Sequence, residues 1–391
     1  MSRLPEPTGS TGLPERTHSV GSRTRSDQHE SATSSDRGDR GDSPTSRPAS
    51  YRVARSTRPS RLFSAALGVL LITLISLPWW ADNGPMRLIA EMAYFLALAQ
   101  LWNLLAGYAG LVSVGQQAFV GLGGYTLFAL TDWYGVHPLW ALALAGLMAA
   151  LVSVPVALAV FRLRGAYFAV GTWVVAEIFQ LFVAQVPRLG GGSGYSLTPA
   201  IVRSIAADRG TRDQVLYWIA LALAVAVTTA VYAVLRSRHG LALTAIRDSE
   251  RASRSLGVDT WRTKLFIYVV TAGCTGVIGA FIFLLKLRIS PASGFDVNDW
   301  TVVVIFMVVI GGIGTMEGPI VGMLLYFGLR EWLADYGSWY LILLGAVAVV
   351  VMLRAQRGLW GWVESRFGLS LFPIRRQLVI LPGTGQGESR E

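Results

Sequence analysis

Leu265-Phe-Ile-Tyr-Val-Val-Thr-Ala-Gly-Cys-Thr-Gly-Val-Ile-Gly-Ala-Phe-Ile-Phe-Leu-Leu285 runs for 21 residues without a charged side chain. A helix rises 1.5 Å per residue, so this run reaches across the roughly 30 Å hydrocarbon core of a bilayer. Lys264 and Lys286 bracket it and are the only lysines in the chain. Runs 62–80, 139–161 and 215–235 are equally free of charge. One buried helix of a soluble protein can mimic such a run; several in one chain indicate a polytopic membrane protein. The composition agrees. Of 391 residues, 52% are hydrophobic and 15% charged, against roughly 25% charged in soluble domains.

The net charge is +10. A basic balance can indicate nucleic acid, but here the arginines flank apolar spans, as the positive-inside rule describes, so no nucleic-acid partner is expected. Cys274, the single cysteine, lies inside a span and reads as a small packing residue. It excludes an intrachain disulfide and a Cys-rich metal site. His18, His29, His137 and His239 are scattered between the N-terminal stretch and the loops, so no metal site is expected.

Residues 1–61 are rich in Ser, Thr, Arg, Asp, Gly and Pro and are expected to form a disordered cytoplasmic extension. Arg52, Arg55, Arg58 and Arg61 lead into the first span and argue for a cytoplasmic N-terminus resting on membrane lipid. Further spans are expected near 88–106, 111–130, 139–161, 166–186, 215–235, 265–285, 301–329 and 339–353. With the N-terminus inside, Arg162 and Arg164 fall inside, as does the Arg-rich loop 236–264. The tail 354–391 carries Arg354, Arg357, Arg366, Arg375 and Arg376 and should also be inside. That parity requires 301–329 to break into two pieces at Gly311-Gly312-Ile-Gly314 and Gly318-Pro319, as glycine and proline permit when neighbours satisfy the freed backbone. The expectation is an all-α integral membrane bundle of about ten segments, some half-length, with its transmembrane domain at 62–353. Segment 111–130 carries Ser113, Gln116, Gln117, Gly121, Gly123 and Gly124. It reads either as close packing by small residues or as a pathway lining.

The loop Gly240-Leu-Ala-Leu-Thr-Ala245-Ile-Arg247-Asp248-Ser-Glu250-Arg251-Ala252 through Gly257 can form one amphipathic helix over 241–256. Leu241, Ala245, Ala252 and Leu256 make its apolar stripe and Gly257 its stop. A short apolar face with a charged back suits either a groove in a partner or the membrane surface. Among ionisable groups in spans, Glu91 sits near an edge, while Glu177 lies mid-span. Glu177 reads as a helix-packing group or as part of a pathway or gate. Asn103 and Gln116 read as interhelical hydrogen-bonding groups.

Several stretches together resemble the permeases of branched-chain amino-acid ABC importers. Ala245-Ile-Arg-Asp-Ser-Glu250 with Ala252 to Gly257 resembles the family's coupling loop. Asn103-Leu-Leu-Ala-Gly107-Tyr-Ala-Gly110 and Ser113-Val-Gly115-Gln116 resemble its early segment. Leu163-Arg-Gly-Ala-Tyr167-Phe-Ala169 and Glu177-Ile-Phe179 resemble its middle. Gly190-Gly191-Gly192-Ser193-Gly194 resembles its Gly-Gly-Ser loop, and Gly311 through Pro319 its late glycine signature. The resemblance covers about 90–325 and is closer to the M-type than to the H-type subunit. Arg251 stands where the general importer motif has Glu, and Met316-Glu317 where the family has an apolar or aromatic pair.

The resemblance implies a permease subunit that carries branched-chain or other hydrophobic amino acids inward. Two ATPase subunits would drive it, a second permease would complete a heterodimer, and an extracytoplasmic binding protein would deliver substrate. Gly240, Ala245, Arg247, Asp248, Glu250, Arg251, Ala252 and Gly257 would dock into the ATPase. Asn103, Ser113, Gln116, Gln117, Tyr167, Glu177, Gly311, Gly312 and Gly314 are the pathway candidates. Gly191, Gly192 and Ser193 would face the binding protein. ATP and Mg²⁺ would sit on the partners, since the chain lacks a Gly-x₄-Gly-Lys-Ser/Thr loop. A urea or amide importer of the same family, an ATP-independent secondary transporter, and a membrane-embedded enzyme are the competing readings. The last two need clustered carboxylates or a catalytic constellation, and Glu177 stands nearly alone.

Overall fold

The computed structural model describes residues 51–54, 58–206, 208–333, 339–355, 358–367, 372 and 377–380. Helix α1 (Arg58–Ser76) tightens into a 3₁₀ turn at Leu77–Trp79, where Pro78 stops regular helix. Helix α2 (Asn83–Asn103) widens into a π turn at Leu104–Tyr108 and is turned by Gly110 at φ +70°. Helix α3 (Gln116–Trp133) follows, then α4 (Pro138–Val160), with proline in its first turn, and α5 (Ala166–Ala184) after Gly165 at φ +56°. A short helix, α6 (Pro199–Ile205), precedes α7 (Arg209–Arg236), whose N-cap Asp208 accepts from the Gly210 and Thr211 amides. Next come α8 (Arg238–Asp248), α9 (Glu250–Ser255) and α10 (Thr260–Lys286). After α11 (Pro291–Gly294), a π turn at Asn298–Val302 leads into α12 (Val303–Gly311). The chain continues as α13 (Gly318–Leu333), α14 (Trp339–Arg354) and α15 (Gly358–Phe367).

Among the described residues, six helices are long and apolar enough to cross a membrane: Asn83–Tyr108, α4, α5, α7, α10 and Pro291–Gly311. The protein is therefore an all-α membrane protein. The core forms around α10, which packs on α3 and α4, while α2 packs on α7 and α12 on α13. Glycines set these distances. A Cβ on Gly123 would lie 2.0 Å from the Gly276 carbonyl oxygen, and one on Gly279 would lie 2.2 Å from the Val120 oxygen. Gly121 meets Phe295, and Gly124 meets Phe283 and Ile289. All three α3 glycines thus serve close packing, which stands in for the hydrophobic drive that lipid removes.

The expected break in 301–329 is present, between α12 and α13. Segment 111–130 is not one helix: residues 109–115 are irregular and α3 starts at Gln116. The 241–256 region is two helices rather than one. Ser249 is extended at φ −159°, and its side chain accepts from the Ala252 amide, so it ends α8 and caps α9. Gly257 at φ +82° does stop α9. Most of the proposed extension 1–61 lies outside the described residues. Within it, β1 (Tyr51–Ala54) pairs antiparallel with β4 (Gln377–Ile380), and α1 begins at Arg58, ahead of the expected boundary. The tail 354–391 starts with the last residue of α14 and includes α15 and β4; its remainder, apart from Ala355 and Phe372, lies outside the described residues.

A second small pair, β2 (Tyr195–Ser196) with β3 (Arg288–Ile289), joins the loop after α5 to the end of α10. Helices α8 and α9 lie at the other end of α7 and α10. The bundle therefore has two distinct faces, one carrying the α8–α9 loop and one carrying the glycine-rich loop.

Candidate functional site: a junction beneath the α8–α9 loop

Four elements meet at one point on the α8–α9 face. Gln100 and Asn103 are one turn apart on α2, so both amides leave the same side of the helix. Asn103 Nδ2 donates to the Thr315 carbonyl at 2.7 Å, and Asn103 Oδ1 accepts from the Gly314 amide at 2.8 Å. Gln100 Nε2 donates to the Met316 carbonyl at 2.9 Å. The two side chains thus satisfy the backbone of the α12–α13 turn much as a neighbouring strand would. Thr315 shapes the turn from within: its hydroxyl donates to the Gly312 oxygen at 2.8 Å and accepts from the Gly318 amide at 3.0 Å.

The turn can exist only with glycine. Gly312 and Gly314 have φ +137° and +77°, which L side chains avoid. A Cβ on Gly311 would lie 1.8 Å from the Gly318 oxygen, and one on Gly107 would lie 2.6 Å from the Gly314 nitrogen. Gly358, at the start of α15, seats on Gly312, where a Cβ would come within 2.4 Å of Gly312 Cα. Glu317 is buried, and its Oε1 accepts from the Phe372 amide at 2.9 Å.

The α8–α9 loop reaches this junction through Arg247. Its Nη1 donates to the Gly107 carbonyl at 2.8 Å, and its Nε and Nη2 hold Asp248 at 3.2 Å. A Cβ on Gly314 would lie 3.3 Å from Arg247 Nη1. Beneath α8, Leu243 and Ile246 are buried, and Gly240 lets the helix close on the Leu235 carbonyl. Leu241 and Leu256 are 72% and 80% exposed, so the stripe foreseen from sequence faces away from the bundle. Ala245 is half-buried, whereas Asp248, Arg251 and Ala252 are exposed. Glu250 ties α9 to α10, accepting from Lys264 Nζ at 2.8 Å and from Arg254. The Lys264 hydrogen bond, opposed by burial and aided by both cations' charge, holds its carboxyl below the usual carboxylate range.

The pathway candidates do not gather in one place. Asn103, Gly311, Gly312 and Gly314 belong to this junction. Ser113, Gln116 and Gln117 are buried at the start of α3: Trp102 Nε1 donates to the Ser113 carbonyl, Gln116 Nε2 donates to the Leu98 carbonyl, and Thr301 donates to Gln117 Oε1. Tyr167 and Glu177 lie on α5, the least buried of the six long apolar helices. Tyr167 is 77% exposed, and Glu177, half-buried, accepts from Trp173 Nε1 at 2.9 Å. Glu91 near the other face receives both terminal nitrogens of Arg330, at 2.9 and 2.8 Å. On that face Gly191 is partly exposed, while Gly192 and Ser193 are exposed; the Ser193 carbonyl accepts from Arg288 at 3.3 Å. Gln100, Gly107, Thr315 and Gly358 were missed from sequence. Two amides at i and i+3 in an otherwise apolar span were the available signal for the first.

Interrupted apolar helices locked by side-chain amides to a glycine turn, with an amphipathic loop tied to the α2 end beside that turn, define a polytopic membrane protein with the broken-helix construction that transporters use. Residues 85–353 match the family model for the branched-chain amino acid transport system / permease component, and the chain belongs to this family. It is 28% identical over 356 residues to the high-affinity branched-chain amino acid transport system permease protein LivM of Escherichia coli, covering 85% of this chain and 80% of that protein. It is 23% identical over 276 residues to the probable permease LivM of Methanocaldococcus jannaschii, covering 62% and 79%. A weaker match, 24% over 125 residues, is to the probable permease LivH of the same archaeon, covering 30% and 38%. No solved structure matches.

Proposed function

We propose that this chain is the M-type permease subunit of an importer that moves branched-chain amino acids inward, driven by ATPases on separate chains. Helices α8 and α9 dock into an ATPase through Leu241 and Leu256, and Arg247 passes the ATPase's motion to the α2 end and the α12–α13 turn. The observation that carries this reading is the two-sidedness of α8–α9: its outer leucines are solvent-facing, while Arg247 is bonded to Gly107. ATP and Mg²⁺ belong to the partners. This face is cytoplasmic, with both chain termini, and the 190–194 loop on the other face meets the binding protein. The β1–β4 pairing, which sets the first and last described strands side by side, supports termini on a common side. Ten segments (α1, α2, α3, α4, α5, α7, α10, α12, α13 and α14) give that parity.

A second permease completes the pathway. A mid-span carboxylate facing lipid is expensive, so the α5 face with Tyr167 and Glu177 is better covered by a partner subunit and a watered path. The matches to proteins of both the LivM and LivH types support two related permeases and a heterodimer. The test is co-purification from membranes with Leu241→Glu and Leu256→Glu combined. Loss of the ATPase at normal membrane level is expected; retention of both the ATPase and leucine uptake would sink the docking role.

A further inference from the structure

At the face away from α8–α9, α2, α7 and α10 enclose a cavity of about 430 Å³. Arg87, Arg212 and Lys286 line it within about one turn of their helix ends. Tyr94, Leu216 and Ile282 line it deeper. The cavity is thus cationic at the mouth and mainly apolar beneath. Its two carboxylates are already engaged. Glu91 holds Arg330 through both oxygens, and Asp213 receives Arg87 at 3.1 Å and Arg212 at 2.9 Å. Among the described residues, Lys286 makes no direct ion pair, although the Asp299 carboxylate outside the cavity lining feels its charge; its ammonium lies 4.6 Å from the centroid of the Trp300 ring.

The aromatic residues fix the depth of this cavity. Trp79 and Trp80, at the end of α1, are 71% and 65% exposed, and the Trp79 ring lies 5.9 Å from that of Trp218. Trp218 follows Tyr217, which lines the cavity. Exposed tryptophans gather where headgroups meet acyl chains, so the cationic mouth sits at the level of lipid phosphates.

We propose that this cavity binds a glycerophospholipid from the leaflet opposite the α8–α9 loop. The phosphodiester's single negative charge meets Lys286, with further N–H groups of Arg87 and Arg212 in reach, and the first acyl carbons cover Leu216 and Ile282. Inorganic phosphate would satisfy the cations but leave these walls wet. A zwitterionic amino acid would need a free carboxylate for its ammonium, and both are taken by arginine. The inference goes beyond the importer reading and uses it only to name the leaflet as the outer one.

The test uses the full chain with its co-purifying partners, delipidated in mild detergent. Native mass spectrometry follows titration with dioleoylphosphatidylglycerol, inorganic phosphate or leucine. One saturable lipid per chain is expected. Lys286→Gln should weaken it about tenfold, the scale of a lost charge-assisted hydrogen bond, while Lys286→Arg keeps it within about twofold. Leu216→Trp, which fills the cavity, should expel the lipid by a route independent of charge. Undiminished retention in both Lys286→Gln and Leu216→Trp overturns the proposal. So does inorganic phosphate binding as tightly as lipid, which makes this a free-anion site, and so does displacement by leucine, which makes it a solute pocket. ATPase recovery is scored on the same samples: its absence counts against the docking role of α8–α9 and leaves the lipid result standing.

Discussion

Gly107→Ala is the most direct perturbation of the junction. The added methyl would lie 2.4 Å from Asn103 Oδ1, 2.6 Å from the Gly314 nitrogen and 2.8 Å from Gly314 Cα. Two of these neighbours are backbone atoms in a turn held by Asn103 and Gln100, so they cannot move aside freely. Overpacking of this kind costs about 1–3 kcal/mol. Relief by moving the turn away breaks the two Asn103 bonds, each worth about 0.5–1.5 kcal/mol net. The structure will take the cheaper mixture, at about 2 kcal/mol, or roughly a thirtyfold rise in the population of the opened turn. Hydrogen exchange reads this directly as faster amide exchange across 312–317. In proteoliposomes with ATPase and binding protein, ATP hydrolysis should persist while leucine uptake per ATP falls, because the Arg247–Gly107 contact no longer reports to a fixed turn. Normal exchange at 312–317 together with normal uptake would refute the reasoning. Should the variant fail to accumulate, Asn103→Ala removes the same two bonds without adding volume and should move both readouts in the same direction.

Arg247→Lys keeps the charge but loses the fork that spans Gly107 and Asp248; ATPase association should survive while uptake drops severalfold, as a transport assay beside a pull-down will read. Glu250→Gln should loosen α9 from α10. The wild-type carboxyl has its pKa lowered on folding, so its contribution is complete at pH 7, present above the ordinary value of about 4.3, and lost as pH falls from there through the depressed folded value; α9 exchange protection, corrected for intrinsic exchange and followed from pH 7 down to about pH 2, should fall in wild type only below the ordinary carboxylate value, and the variant should lack that change. Gly257→Ala meets no atom within 4 Å but forces a side chain to φ +82°, a strain of about 1 kcal/mol that thermal unfolding will register. Glu177→Leu should leave the assembled complex intact yet alter uptake if α5 faces a watered path; unchanged uptake would assign Glu177 to its hydrogen bond with Trp173 alone.

The membrane class was legible because desolvation leaves no choice: a 21-residue uncharged run such as 265–285 has few other environments open to it. The break at Gly311–Pro319 was legible for a related reason, since charge parity and glycine demanded the same interruption. The junction was not. Asn103 and Gly314 are 211 residues apart in sequence, and both read as candidates for a solute pathway, because polar or glycine residues in a span suggest a pathway as readily as a structural lock. What separates the two is where the hydrogen bonds end. An amide lining a path keeps a free donor or acceptor for solute, whereas both ends of Asn103 terminate on backbone. The same criterion bears on Gln100 Oε1, Gln116 Oε1 and Gln117 Nε2, which have no partner among the described residues. These three atoms retain hydrogen-bonding capacity for water or solute. Asn103→Leu should therefore damage coupling, whereas Gln116→Leu should spare it and change solute selectivity or bound water. Equal loss of ATP-to-uptake coupling in both variants would remove the distinction between lock and lining.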